Sequence, residues 1–234
     1  MQLRGIGSML VGLTLAAAPS AFAATVTYAT INANPATLVS TGAIVTGSIG
    51  SVGFTYSGEL AFDNASGVGN TNYFTPLSTY TSTTVSNAPT NGGLIAISGD
   101  GTTDTFTFST PVTGLILSEV SLGQSGVPTA YTFNDTFTVL SCGPGTIYQG
   151  GCFNQAIGST GNSVLSADEG DGTIEFAGTI SSLSFSTANG EYWNGFDLGL
   201  LPQTASPTPE PDTLVLAGTG LVGLLSAVRR RLAA

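Results

Sequence analysis

Lysine and histidine are absent from this chain of 234 residues, and its four basic residues are Arg4, Arg229, Arg230 and Arg231. The stretch from 24 to 208 therefore carries no cation, yet it holds twelve of the fourteen carboxylates, Glu210 and Asp212 being the other two. Without His, the Ser-His-Asp and Cys-His arrangements cannot be assembled, and without Lys there is neither a Schiff base nor a Ser-Lys pair. An acidic surface repels phosphate backbones, which argues against nucleic acid as a partner. With two cysteines and no His, a soft-ligand metal centre lacks its donors. A glycosidase-like carboxylate pair is the remaining catalytic chemistry, and Asp168, Glu169, Asp171, Glu175 and Glu191 could supply it. Their spacing specifies no such pair, so the expectation is a protein that is not an enzyme.

Present instead are 32 glycines, many Ser, Thr and Asn residues, and only 8% charged residues, a composition that suits an all-β extracellular domain rich in turns. The N-terminus reads as an export signal. Arg4 supplies the positive region, Met9 to Ala18 the apolar region, and Pro19 to Ala23 a small-residue site ending in Ala21-Phe22-Ala23, with cleavage expected after Ala23. The apolar region is about ten residues long, too short to span a bilayer that needs roughly 20.

From Ala24 onward alternation dominates. Thr25–Ile31, Ser51–Phe62, Thr103–Ser109, Val112–Leu122, Tyr131–Leu140, Thr173–Phe176, Ile180–Phe185 and Tyr192–Leu200 read as strands, separated by turns such as Asn91-Gly92-Gly93, Gly170-Asp171-Gly172 and Asn189-Gly190. No block repeats at constant length, which disfavours a β-solenoid. The expected fold is a two-sheet antiparallel β-sandwich of jelly-roll type over residues 24–200. Its expected core is Phe54, Tyr56, Phe62, Phe106, Phe108, Leu115, Leu117, Phe133, Phe137, Val139, Phe176, Phe185, Trp193 and Phe196.

Cys142 and Cys152 flank nine residues that include Gly-Pro-Gly, and in an exported chain they are expected to form a local structural disulfide. The acidic stretch Asp168 to Glu175 offers Asp168, Asp171 and Glu175 as candidate Ca²⁺ ligands, although the spacing departs from an EF-hand and a plain hairpin turn explains it as well. Asp100 to Asp104 offers a weaker candidate of the same kind. No other cofactor is expected. Trp193, the single Trp, could stack on a sugar or fill the core.

The chain is organised around its C-terminus. Leu201 to Thr208 forms a Pro/Thr-rich linker, extended and without capacity to pack. Pro209-Glu210-Pro211 then precedes an apolar run, Leu214 to Val228, and Arg229, Arg230 and Arg231. A helix over Thr213 to Val228 would be ~24 Å long, somewhat short of the ~30 Å hydrocarbon core, and the arginines would keep its end in the cytoplasm.

This order resembles the PEP-CTERM sorting signal of exported Gram-negative proteins, over residues 209–234. Leu201-Pro202-Gln203-Thr204-Ala205 is also similar to the Leu-Pro-x-Thr-Gly signal of sortase substrates, but has Ala205 where that family has Gly. The first resemblance implies an exosortase-type membrane transpeptidase as partner, a transient stay in the inner membrane, processing near Glu210, and delivery to the cell surface or extracellular matrix. Gly172 to Gly199 resembles the closing strands of PEP-CTERM cargo domains, which are lectin-like sandwiches. The expected role is structural or adhesive, in association with exopolysaccharide of a biofilm. The alternatives are a carbohydrate- or Ca²⁺-binding module and, third, a carboxylate-based glycan hydrolase.

Overall fold

A computed structural model describes residues 22–32, 39–64, 71–90, 92–99, 101–147, 149–158 and 161–203. Ala21, Pro209, Glu210, Pro211, the apolar run and Arg229 to Arg231 lie outside the described residues, and Asp100 does too. Among the described residues no helix is long and apolar enough to cross a membrane.

The elements in chain order are β1 (Thr27–Tyr28), β2 (Thr30–Ile31), β3 (Val39–Ile49), β4 (Val52–Leu60), β5 (Phe62–Asp63), α1 (Leu77–Tyr80), β6 (Ile95–Ile97), β7 (Thr103–Thr113), β8 (Leu115–Leu122), β9 (Thr129–Phe133), β10 (Phe137–Gly143), β11 (Asn154–Gly158), β12 (Gly161–Ala167), β13 (Gly170–Phe176), β14 (Thr179–Ala188) and β15 (Asn194–Leu200). They form two antiparallel sheets. One runs β10-β13-β8-β15-β6-β5 with β1 beside β15, and the other β11-β12-β9-β14-β7-β4-β3-β2. The chain is thus the all-β sandwich that the alternation implies.

The second sheet keeps one face wet. Along β14, Ile180, Leu183, Phe185 and Thr187 are buried between exposed or half-buried neighbours. The step from Ile180 to Leu183 breaks the period of two, and a bulge between Ile180 and Ser182 absorbs the extra residue, returning both side chains to one face. The first sheet is covered on both faces, so every residue of β8 is buried. Leu115, Leu117 and Leu122 enter the core between the sheets, whereas Ile116 and Val120 meet an outer layer contributed by the 71–90 segment with Val26, Leu94 and Trp193.

The inter-sheet core is aromatic. Phe196 stands among Phe106, Phe185, Tyr56 and Tyr131 at ring separations of 5.7, 5.5, 6.2 and 6.4 Å, and Phe133 touches Phe137 and Phe176 at 5.6 and 5.0 Å. Phe62 and Trp193 depart from the expectation. They pack edge to face at 5.0 Å in the outer layer rather than between the sheets. The segment Tyr131–Leu140, which reads as one strand, is two. β9 ends at Phe133 in one sheet and β10 begins at Phe137 in the other. Asn134 makes the corner, its side chain accepting the Ser184 N–H at 2.9 Å.

Register divides the sandwich into two poles. Thr27 pairs with Leu200, and Leu200 pairs with Leu115, so both ends of the body lie at one pole. The linker is not free from its start: Leu201 N–H donates to Gly114 O at 3.0 Å and Gln203 Nε2 to Thr113 O at 2.8 Å. The opposite pole, ~25 Å away along β8, gathers Leu122, Gly170, Asn194 and Gly143 at the ends of β8, β13, β15 and β10.

Candidate functional site

The site lies at this far pole, where the loops after β8, β12 and β14 converge. Backbone conformation marks it. Among the described residues, the non-glycine positions in the left-handed region are Ser121, Gln149, Glu169 and Asn189: Ser121 stands at the end of β8, and the other three belong to these loops or to the adjacent cysteine loop. Such conformations cost about 1–2 kcal/mol per residue and persist where surrounding structure holds them. A turn closed by reciprocal Gln124 and Val127 backbone bonds of 3.1 and 2.7 Å fixes the first loop.

Ser121, Gln124, Ser125, Glu169, Glu191, Tyr192 and Trp193 line an open cavity of about 290 Å³. Ser121 Oγ donates to Glu169 Oε2 at 2.8 Å and Gly123 N–H to Glu191 Oε1 at 2.8 Å, while Gln124 Oε1 accepts the Tyr192 N–H at 3.3 Å. Tyr192 is 86% exposed, an aromatic ring held at the rim of a polar, acidic pocket. Trp193 also lines it, although the residue is largely buried and its ring packs against Phe62 and Tyr73.

Behind the wall stands Glu119, 0% exposed on the inward face of β8. Tyr131 Oη reaches its Oε1 at 3.3 Å, and its Oε2 has no hydrogen-bond partner among the described residues. The same Tyr131 hydroxyl bonds Asn194 Oδ1, and Asn194 Nδ2 donates to Glu191 Oε1. A continuous chain thus joins the buried carboxyl to the pocket. Burial pushes Glu191 up to about 7, and burial first, then the neighbouring Glu191 charge, hold Glu119 well above the usual carboxylate range.

Asp168, Asp171 and Glu175 are not gathered into one site. Asp168 accepts the Gly126 N–H at 3.1 Å at the surface. Asp171 is buried, and its oxygens are taken by Tyr80 Oη at 3.0 Å, Ser121 N–H at 3.2 Å and Gly145 N–H at 3.1 Å. Glu175 lies four residues further along extended β13, ~13 Å away, beside Thr138 and Gly178. Among the described residues no group of three or more His, Cys, Asp or Glu side chains is placed to hold a metal ion. The extended rise of β13 explains the separation of Asp171 from Glu175, and Asp168 precedes the strand on the turn after β12.

Cys142 and Cys152 form a disulfide with Cα atoms 4.8 Å apart, and the loop it closes covers Asp171 through Gly145. The fit is close: a Cβ on Gly150 would stand 1.3 Å from the Glu169 carbonyl oxygen, so only glycine is accommodated there. Replacing both cysteines by Ser is expected to cost somewhat under about 3 kcal/mol, the loop-closure value for a loop this short. Urea denaturation of the double variant against the parent checks this, and an unchanged midpoint would contradict it.

Sequence reasoning named Glu169, Glu191 and Trp193 but missed Glu119, Tyr131 and Asn194. One local signal was available. In Leu115-Leu117-Glu119 the alternation places a carboxylate on the core-facing side, and an inward acidic residue in a strand needs a partner.

No curated protein and no solved structure matches the chain. Residues 207–231 match the family model described as the PEP-CTERM protein-sorting motif, so the chain is a PEP-CTERM motif-containing protein, which implies export, a transient membrane anchor and processing by exosortase, a membrane enzyme.

Proposed function

We propose that the protein is a non-enzymatic component of the cell surface or extracellular matrix that holds exopolysaccharide at its far-pole pocket. The observation that carries this reading is the pocket's composition and place. Carboxylates of Glu169 and Glu191 and the Gln124 amide suit sugar hydroxyls, Tyr192 offers a face for stacking, and both ends of the sandwich body lie at the other pole. While the tail anchors the protein, such a pocket would face away from the membrane. A cavity of about 290 Å³ is at the small end of ligand sites and accommodates a sugar ring rather than a long stretch of polymer.

The test is calorimetric titration of the exported, mature protein with exopolysaccharide from the producing cells, preceded by a glycan array. Saturable binding is expected, and Tyr192→Ala is expected to weaken it about tenfold, ~1.4 kcal/mol. Absence of binding by the parent protein, or an unaltered isotherm in Tyr192→Ala, would overturn the reading. Because Glu169 and Glu191 share the pocket, hydrolysis is the second reading. Reducing-end release from the same glycan, abolished by Glu191→Gln, would establish that one instead.

A further inference from the structure

The hydrogen-bond chain between the core and the pocket can be read by counting protons. Tyr131 has one hydroxyl proton but two acceptors in reach, Glu119 Oε1 and Asn194 Oδ1. With Asn194 Nδ2 donating to Glu191, the amide oxygen faces Tyr131 and receives the hydroxyl proton. Tyr131 then presents only a lone pair to Glu119, and the contact is a hydrogen bond only if Glu119 carries a proton. Reversing every donor gives the other arrangement: ionised Glu119 accepts from Tyr131, Tyr131 accepts from the turned Asn194 amide, and Asn194 Oδ1 accepts from protonated Glu191. Each arrangement contains one carboxyl proton and satisfies the same contacts.

We infer that Glu119 and Glu191 share a single proton through Tyr131 and Asn194, so that the buried carboxyl sets whether the pocket wall is charged or neutral. The inference deepens the glycan-binding reading and, for its bearing on ligand, rests on it. With the proton at Glu119 the pocket presents a carboxylate to ligand hydroxyls, and with the proton at Glu191 it presents a neutral carboxyl whose proton stays with Asn194.

The surroundings leave the two carboxyls as the proton's only seats. Groups facing the chain are Glu169 and Asp171 from the 168–171 segment, Asp104 of β7, Tyr56 of β4 and the Thr129 hydroxyl of β9. All are acidic or neutral, and residues 24–208 contain no Lys, Arg or His to neutralise a second charge. Glu119 Oε2 has no donor, so double ionisation would leave a buried, uncompensated charge. The raised titration of both groups agrees with this geometry.

Carboxyl-¹³C NMR of the Glu-labelled mature protein, titrated without ligand, tests the inference. In the parent the Glu119 and Glu191 carbons are expected to respond together and in two steps, as coupled sites do. In Glu119→Gln, whose amide imitates the protonated acid, Glu191 is expected to titrate in one step, at least about one pH unit below the upper step of the parent. In Tyr131→Phe the two carbons should no longer move together. A Glu119 carbon that stays flat while Glu191 titrates alone in the parent would overturn the inference, and this readout stands even if a variant fails to fold. Failure of the protein to bind glycan would sink the ligand reading and leave the proton-sharing result intact, since the titration uses no ligand.

Discussion

Lowering the pH from 8 to 5 should raise the melting temperature of the mature protein, on the order of 10 °C. Most proteins lose stability on acidification because carboxylates held low by cations must be protonated. Here residues 24–208 contain no cation to hold them low. Burial instead raises Asp104, Glu119, Asp171, Glu191 and Asp197, with Asp171 at about 6 and Glu191 at about 7. A carboxyl whose value is higher in the folded chain than in the unfolded one binds its proton more tightly when folded. Its stabilising contribution is complete below the unfolded value near 4 and disappears as the pH rises through the folded value, about 6 for Asp171 and about 7 for Glu191. By pH 5 buried Asp171 has gained about one of its two pH units, ~1.4 kcal/mol; Glu119 and Asp197 add to it, and each kcal/mol moves the melting temperature by about 2–4 °C at this chain size. Half-buried Glu191 adds less, because solvent screens it.

Asp197 separates this cause from others. It is 1% exposed with the Ala29 and Leu198 amides nearby, and neither oxygen has a hydrogen-bond partner among the described residues. It is packed so closely on Gly93 that a Cβ there would stand 2.4 Å from Oδ1. Asp197→Asn keeps the shape and removes the charge, so it should stabilise the protein at pH 8, have little effect at pH 5, and flatten the pH profile. Thermal melts at four pH values for both proteins decide the matter. A parent profile that is flat, or that falls toward pH 5, would refute the argument.

Phe196→Ala should destabilise the sandwich by ~3–5 kcal/mol, the range for a large aromatic removed from a packed core. Phe196 comes from one sheet, and the four rings around it, Phe106, Phe185, Tyr56 and Tyr131, all come from the other. Its ring is therefore the contact through which the sheets hold each other, and its loss leaves a void that four rigid rings cannot close. Phe196→Leu retains much of the volume and should cost well under half as much. Urea denaturation gives the comparison through the midpoint at constant slope. A loss below about 1 kcal/mol for the Ala variant would mean that the sheets relax together, contrary to the close packing of such cores.

Much of the fold was legible because strand alternation is a local property. Thr103–Ser109 announces its buried face residue by residue, and the structure places Phe106 and Phe108 in the core accordingly. Val39–Ile49 was missed because Gly42 and Gly47 interrupt its pattern; β4 supplies the pairing that makes it a strand, across a break in register between Val39 and Ala43. The division of Tyr131–Leu140 was hidden for a similar reason: Phe133 and Phe137 face the same core, but from opposite sheets.

The amino-acid order alone determined the sandwich class, the pairing of Cys142 with Cys152 and the sorting motif at the C-terminus, since each depends on neighbours in sequence. Tertiary structure decided that both ends of the sandwich body share one pole, that Trp193 belongs to the outer layer, that Asp168, Asp171 and Glu175 stay apart, and that Glu119 meets Glu191 through Tyr131 and Asn194. Those four residues come from separate strands and loops. Their meeting depends on antiparallel register between distant segments, and a carboxylate's titration depends on what covers it.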